Sequence, residues 1–197
     1  MIKKIILSLI IISACGNSEG NLFANILKVD PTKSHIKFTA KHLFGGKVSG
    51  EFLAYSIVIK LKDSGTIERI EAMIDTNSIF SKNKIRDRHL RQPRFLDYKA
   101  HDYITFIANG PILVTDKTIK GLLTIKGVTK EITLPIEFNY LQSKTNGQLV
   151  LSAKIAGFMI NRNDYNVGGL GFIIQDDIEI DIELINRVYV SLQQKKD

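Results

Sequence analysis

The chain has 197 residues, 44% hydrophobic and 24% charged, a globular balance that excludes a disordered or collagen-like protein. One cysteine excludes a disulfide scaffold and a zinc site built on several cysteines. The net charge of +7 is too mild to indicate nucleic-acid binding by itself, and the length suits one domain.

The first fifteen residues, MIKKIILSLIIISAC, have the pattern of an export signal. Lys3 and Lys4 precede an uncharged stretch, residues 5–12, that is too short to span a bilayer. Ile12-Ser13-Ala14-Cys15 resembles the bacterial lipobox, in which the peptide is cut before the cysteine and the cysteine is acylated on its thiol and its new N-terminus.

We therefore expect residues 1–14 to be a lipoprotein signal peptide and residues 15–27 to be a tether. Cys15 would carry lipid and anchor the protein to a membrane of the bacterial cell envelope, at the periplasmic side or the cell surface. The alternative is an ordinary secretory signal with an incidental cysteine.

From Val29 onward, apolar and polar residues alternate, which is the period of a β-strand. In the first such segment Ile36, Phe38, Ala40 and His42 share one face. Clean alternation is typical of antiparallel sheets with one solvated side, so the pattern predicts an all-β fold closed as a barrel or a sandwich. About eight strands are expected, some of them merging or breaking, over residues 28–42, 46–62, 65–76, 103–109, 111–116, 118–126, 130–142, 147–158 and 174–187.

One segment, residues 78–98, lacks the alternation and predicts a short helical insertion, capped by Ser78 or Ser81 and ended by Pro93. Between residues 82 and 94 it holds six Lys or Arg residues against a single acid, Asp87. Such a cluster can bind phosphate or lie on anionic lipid; the alternative is a solvated helix face that holds the insertion on the barrel.

The sequence has no pattern typical of an enzyme, a metal site or a nucleic-acid-binding domain. No GxSxG, HxH, HExxH or P-loop motif occurs, so we expect no catalysis, no metal and no cofactor. His42 ends the apolar face of Ile36 and Phe38. It is either a core residue with satisfied hydrogen bonds or a polar contact for a ligand head group at the mouth of a barrel.

Several segments, in chain order, resemble motifs of the YceI-like family of exported lipid-binding proteins. Two departures from the family motifs are Leu27-Lys28, where an aromatic residue is usual, and Asn166, where glycine is usual. The matching segments are Val29-Asp30-Pro31, Val48-Ser49-Gly50-Glu51-Phe52, Arg86-Asp87-Arg88-His89-Leu90, Ile104-Thr105-Phe106, the run GLLTIKGVTK at 121–130, and Arg162-Asn163-Asp164-Tyr165-Asn166.

The resemblance implies a lipocalin-like extended antiparallel barrel over residues 28–187, with a tail at 188–197 and a polyisoprenoid, quinone or similar long-chain lipid inside. The expected ligand contacts are Ile36, Phe38, His42, Phe52, Ile104, Phe106 and Leu123. The motif residues expected to be structural are Arg86, Asp87, His89, Arg162 and Asp164, with a buried Asp–Arg pairing that holds the helix to the late loop.

These expectations describe an envelope-anchored carrier or sequestering protein whose partners are a lipid and a membrane. A second copy of the chain, in a homodimer, is left open as a further partner. The basic segment at 82–94 would favour an anionic head group. The alternative is a structural or adhesive surface lipoprotein with a solid-packed barrel. A continuous apolar interior would favour the first, and inward side chains that meet across the barrel would favour the second.

Overall fold

The computed structural model describes residues 26–62, 65–142, 149–168 and 174–186. The expected signal peptide, Cys15, most of the tether and the C-terminal tail therefore lie outside the described residues. The described strands are β1 (Ile26–Lys28), β2 (His35–His42), β3 (Lys47–Phe52), β4 (Tyr55–Leu61), β5 (Thr66–Asp75), β6 (Ile79–Phe80), β7 (Tyr103–Leu113), β8 (Thr118–Ile125), β9 (Val128–Pro135), β10 (Glu137–Gln142), β11 (Leu149–Asn161) and β12 (Ile174–Ile185).

These strands form two six-stranded antiparallel sheets. The first has the order β1-β4-β5-β7-β8-β9 and the second the order β10-β11-β12-β2-β3-β6. Among the described elements the chain crosses between the sheets five times, from β1 to β2, β3 to β4, β5 to β6, β6 to β7 and β9 to β10. The predicted all-β, lipocalin-like antiparallel fold is confirmed, with the ladders of the described residues in two sheets rather than one cylinder.

Strand boundaries differ from the prediction where local backbone chemistry intervenes. The expected strand at 28–42 divides into β1 and β2 around the turn that follows Pro31, and the one at 130–142 divides at Ile136. Conversely, the segments 103–109 and 111–116 join as β7. Pro111 is tolerated there because Gly110 and Pro111 form a bulge in β7 opposite Glu68 of β5, where a ladder bond is not needed.

The insertion contains one short helix, α1 (Lys84–Leu90), and the two-residue strand β6. The predicted caps were wrong: Asn83 begins the helix, its side-chain oxygen accepting the N–H groups of Ile85 and Arg86 at 3.1 Å each. The helix ends at Leu90, before Pro93. Nothing helical in the described part of the chain is long and apolar enough to cross a bilayer.

Inward side chains of both sheets form one apolar core. In its closely packed region Ile59, Ile67, Ala108 and Leu151 are each at most 2% exposed. Such strands stay in register because a one-residue slip would turn every apolar side chain outward. This packed region is one half of the interior; the other half contains the candidate site.

Candidate functional site

An apolar cavity of about 160 Å³ lies between the sheets at one end of the fold. Ala40 is near the end of β2, Ile104 near the start of β7, and Ile125 at the end of β8. These strand termini meet at one end because neighbouring strands run in opposite directions. The lining residues are Phe38, Ala40, Phe52, Ile79, Leu90, Phe95, Leu96, Ile104, Ile125, Ile160, Arg162, Tyr165, Val167, Ile174, Ile178 and Ile180.

Two aromatic rings form part of the wall. Phe38 on β2 and Phe52 on β3 lie with their ring centroids 6.0 Å apart and their planes tilted by 52°, within the range of favourable aromatic pairs. Both rings are half-buried. Because neither sits in fully packed surroundings, each can move with less loss of contact than a fully buried ring.

Two irregular segments close this end of the cavity. The first follows α1 and contributes Phe95 and Leu96; the second, residues 162–167, follows β11. The N–H of Gly168 donates to the carbonyl of Arg94 at 3.2 Å and so links the two segments. We call residues 78–98 and 162–168 together the cap.

Arg162 holds the second segment of the cap in place. Its guanidinium donates to a carboxylate oxygen of Asp176 at 2.7 Å and to the carbonyls of Val167 at 3.2 Å and Gln175 at 3.4 Å. Arg162 is 8% exposed. The carboxylate of Asp176 is about half exposed, so this ion pair lies at the edge of the interior rather than within it.

The first segment is held by a separate network. Asp87 is buried, and one of its carboxylate oxygens accepts the backbone N–H of Ser81 at 2.9 Å as well as the Ser81 hydroxyl. Arg86 donates to the Ser81 hydroxyl oxygen at 2.8 Å and to the Ser81 carbonyl at 2.6 Å. Arg91 donates to the carbonyls of Asn77 and Ile79, at 2.8 Å each.

The expected pairing of Asp87 with an arginine of the late loop is therefore wrong. Asp87 is satisfied within its own segment by Ser81, and Arg162 is satisfied by Asp176. The physical reason is proximity: the turn before α1 brings Ser81 beside Asp87, six residues away, so the carboxylate finds donors without a distant partner.

Two further motif residues lie on the outside of the cap. Asp164 is about half exposed and forms an ion pair with Lys130 at 2.5 Å. His89 is exposed on α1. Neither side chain lines the cavity.

Tyr165 is a second buried polar residue of the cavity wall besides Arg162, at 2% exposure. Burial raises the pKa of its hydroxyl, and the neighbouring Asp164 carboxylate raises it further. The Nζ of Lys130 lies 5.9 Å from the centre of the ring. The residue is thus neutral at physiological pH, and it adds no charge to a wall that is almost entirely carbon.

The expected ligand contacts divide between the two halves of the interior. Phe38, Phe52 and Ile104 line the cavity. Ile36, Phe106 and Leu123 are buried in the core and are not part of the lining.

His42 is also outside the lining. It is half-buried at the end of β2, opposite Ile174, and its backbone N–H donates to Gly46 at 3.0 Å across the turn to β3.

Sequence reasoning missed most of the cap residues in the lining. Phe95, Leu96, Tyr165 and Val167 are apolar or aromatic residues inside segments without strand periodicity. Their signal was available in principle, since large apolar side chains in an irregular segment must be buried against something. Which part of the interior they cover follows only from the fold.

The arrangement favours apolar binding. A dry cavity of about 150 Å³ lined by Leu, Ile and Phe accommodates a benzene-sized group, and this cavity has about that size and composition. It therefore has room for a short apolar group or the tip of a longer chain.

Comparison with known proteins agrees with this architecture. A family model described as a YceI-like domain matches residues 27–185. A UPF0312 protein of Staphylococcus aureus strain MSSA476 is 33% identical over 141 residues, which are 70% of this chain and 80% of the relative.

Two solved structures share the fold. The YceI protein of Campylobacter jejuni is 29% identical, with a TM-score of 0.64 over 75% of this chain and 90% of that one. A polyisoprenoid binding domain from Saccharophagus degradans is 14% identical, with a TM-score of 0.64 over 81% of this chain and 97% of that one, and this likeness is one of fold alone.

Proposed function

The chain belongs to the YceI-like family, and on that premise we propose that it binds the apolar part of a long-chain amphiphile, such as a polyisoprenoid or a quinone-like lipid, between its sheets. The observation that carries the proposal is the carbon-walled cavity beneath the cap. An apolar chain gains about 0.8 kcal/mol for each CH₂ group that leaves water, so such a site needs no polar contact with the tail.

A long chain requires more space than this cavity offers. The strands are fixed by continuous ladders, whereas beyond β6 the cap is tied to the strands and their turns by single bonds, such as those from Arg162 to Asp176 and from Lys126 to the carbonyl of Asn166. Elements with few bonds open at lower free energy than a ladder does. We therefore propose that the cap moves to admit the chain while the packed half of the core stays as it is.

A domain with the same fold, from Saccharophagus degradans, is described as polyisoprenoid binding, which makes a polyisoprenoid the first ligand to test. We also propose that the protein is an envelope-anchored carrier or sequestering protein. The support for the anchor is the lipobox-like sequence ending at Cys15.

The decisive experiment is extraction of the protein in a native state followed by mass spectrometry of the lipids that accompany it. Ala40 lies on β2 and lines the cavity, so the indole of Ala40→Trp would occupy the cavity volume. We expect this variant to lose most of the co-purified lipid and to unfold near the temperature of the parent, since a cavity tolerates added volume. Lys37→Trp is the matched control, because Lys37 is exposed on the same strand and outside the lining.

The packed half of the interior favours a second candidate function, a structural or adhesive surface lipoprotein. Ile36, Phe106 and Leu123 are buried at 3–7% exposure within one cluster. If the parent carried no lipid and Ala40→Trp were severely destabilised, the interior would behave as a solid core and the binding proposal would be rejected.

A further inference from the structure

The turn between β2 and β3 exposes two large apolar side chains beside the cavity end of the fold. Phe44 is 91% exposed and Leu43 is 49% exposed. The turn is tight: Gly45 and Gly46 have φ angles of 93° and 86°, and glycine is the residue that adopts these at no steric cost. The ring of Phe44 thus projects into solvent from the tip of this turn.

A third apolar side chain, that of Ile85, is exposed at the same end. β6 pairs with β3 through Phe80 opposite Glu51, so the chain beyond Phe80 runs alongside β3 towards the β2–β3 turn. α1 begins four residues later, and Ile85 in its first turn is 66% exposed. Single exposed apolar residues are ordinary, but here three lie on the turn and the helix at the cavity end of the fold.

Unpaired positive charge accompanies these side chains. The side chains of Lys82, Lys84 and Arg88 are exposed and form no hydrogen bond or ion pair within the described residues. Within the same residues, Arg86 and Arg91 donate to carbonyl and hydroxyl oxygens and form no ion pair.

The acidic side chains at this end are largely occupied. Asp87 is buried against Ser81, and Asp176 and Asp164 are paired with Arg162 and Lys130. Asp177 is exposed and accepts a hydrogen bond from the neutral amide of Asn161, so its single negative charge is outnumbered by the cations of residues 82–91. The charge of this surface towards solvent is therefore positive, beside an apolar tip. This combination is that of interfacial membrane-binding elements, in which apolar side chains enter the headgroup boundary and cations meet anionic lipids.

We propose that the β2–β3 turn and the first turn of α1 dock on an anionic phospholipid bilayer, with Leu43, Phe44 and Ile85 at the headgroup boundary. A second copy of the chain is a poorer occupant, since it would bring the same positive charge to the contact. Docking would place the cap and the cavity next to the bilayer from which an apolar chain would enter. The proposal goes beyond lipid binding and does not require an occupied cavity.

The expected anchor is compatible with this orientation without dictating it. Ile26 is eleven positions after Cys15, and a fully extended chain of that length spans at most about 40 Å. That reach is about the length of the longest strand, β11, at roughly 3.3 Å per residue. Either end of the fold can therefore face the membrane that holds the anchor.

The chain contains no tryptophan, so Phe44→Trp introduces a single fluorophore at the tip of the turn. We would add this variant to vesicles of phosphatidylglycerol and phosphatidylcholine whose acyl chains carry bromine, a contact quencher. Its emission should shift to shorter wavelength and fall by about half, and vesicles of phosphatidylcholine alone should cause neither change.

Leu113→Trp is the matched control, because Leu113 is 48% exposed at the opposite end of β7 and should stay unquenched in both vesicles. Adding Lys84→Glu and Arg88→Glu to Phe44→Trp should abolish the quenching, whereas Lys117→Glu with Lys120→Glu, an equal change of charge at the other end, should not.

Unchanged emission of Phe44→Trp on anionic vesicles, or equal quenching of Leu113→Trp, would overturn the proposal. A concentration-dependent blue shift without vesicles would overturn it in favour of contact between two copies. Protein stripped of lipid should give the same quenching, so failure of docking and failure of lipid binding are separate results.

Discussion

The ring of Phe38 occupies the space that a side chain at Gly50 would need. A Cβ atom built on Gly50 would lie 2.5 Å from Cζ of that ring and 2.8 Å from the carbonyl oxygen of Phe80. Phe38 and Gly50 are direct partners across β2 and β3. Because the same ring lines the cavity, the missing side chain at Gly50 determines where one wall of the cavity lies.

Gly50→Ala is expected to destabilise the protein by about 1–3 kcal/mol, the usual cost of overpacking. The Phe38 ring can turn away, but the Phe80 carbonyl belongs to the backbone and moves less easily. Chemical denaturation would measure the loss. Gly168→Ala, which meets no atom within 4 Å, should change little.

A double variant separates the ring from the carbonyl. If the ring is the main obstacle, Gly50→Ala with Phe38→Leu should cost less than the two single changes added together. If the two losses in unfolding free energy were strictly additive, the ring of Phe38 would not be the obstacle to a side chain at Gly50.

Asp87→Ala should cost about 1.5–3 kcal/mol, since it removes a charged hydrogen-bond acceptor and leaves the N–H of Ser81 unpaired in a buried place. Asp87→Asn keeps an acceptor oxygen and should cost less. His89→Ala, an exposed change on the same helix, is the control, and thermal unfolding is the measurement. Equal melting temperatures for Asp87→Ala and His89→Ala would refute the role assigned to Asp87.

Arg162→Met should loosen the cap more than Asp176→Ala does. Arg162→Met leaves three acceptors without their donor, two of them backbone carbonyls. Asp176 is about half exposed, so its removal in Asp176→Ala leaves a site that water can reach. Hydrogen exchange at the amide of Gly168, which is bonded to Arg94, would report the loosening. Exchange as slow in Arg162→Met as in the parent would count against this account of the cap.

Stability should decline as the pH rises above 10, in part because of Tyr165. Burial raises the pKa of its hydroxyl in the folded protein above the ordinary value of 10.0, so the unfolded chain loses this proton first and folding is disfavoured from there upward. Tyr165→Phe should flatten the decline above pH 10 and leave the dependence between pH 7 and 9 unchanged. Parallel curves over the whole range would disprove the contribution.

Cys15→Ser should abolish labelling by a fatty-acid probe and move the protein out of the membrane fraction, because the acylated thiol and N-terminus are the expected anchor. Ser13→Thr leaves Cys15 in place and serves as a control for export. Labelling of the Cys15→Ser protein at the parent level would exclude this residue as the lipidation site.

Alternation along the chain was enough to predict the class of fold. The alternating face of Ile36, Phe38 and Ala40 is that of β2, and the break in pattern at 78–98 marks the insertion that holds α1. The period of a strand is a property of its own residues, so a strand can be predicted without knowing which strand it pairs with. The family followed from short motifs read in order, for the same reason.

The site depended on relationships that no single segment contains. Ile36 and Phe38 lie on the same face of β2, yet only Phe38 lines the cavity. The position of the cavity between the sheets depends on the cap, whose residues are distant in sequence from β2. The hydrogen-bond partner of Asp87 likewise depends on which donor lies nearest to it in the folded chain, and that donor is Ser81. Local sequence thus determined the strands and their inward faces, while the tertiary structure decided which inward residues meet and which enclose space, since packing depends on atoms distant in sequence.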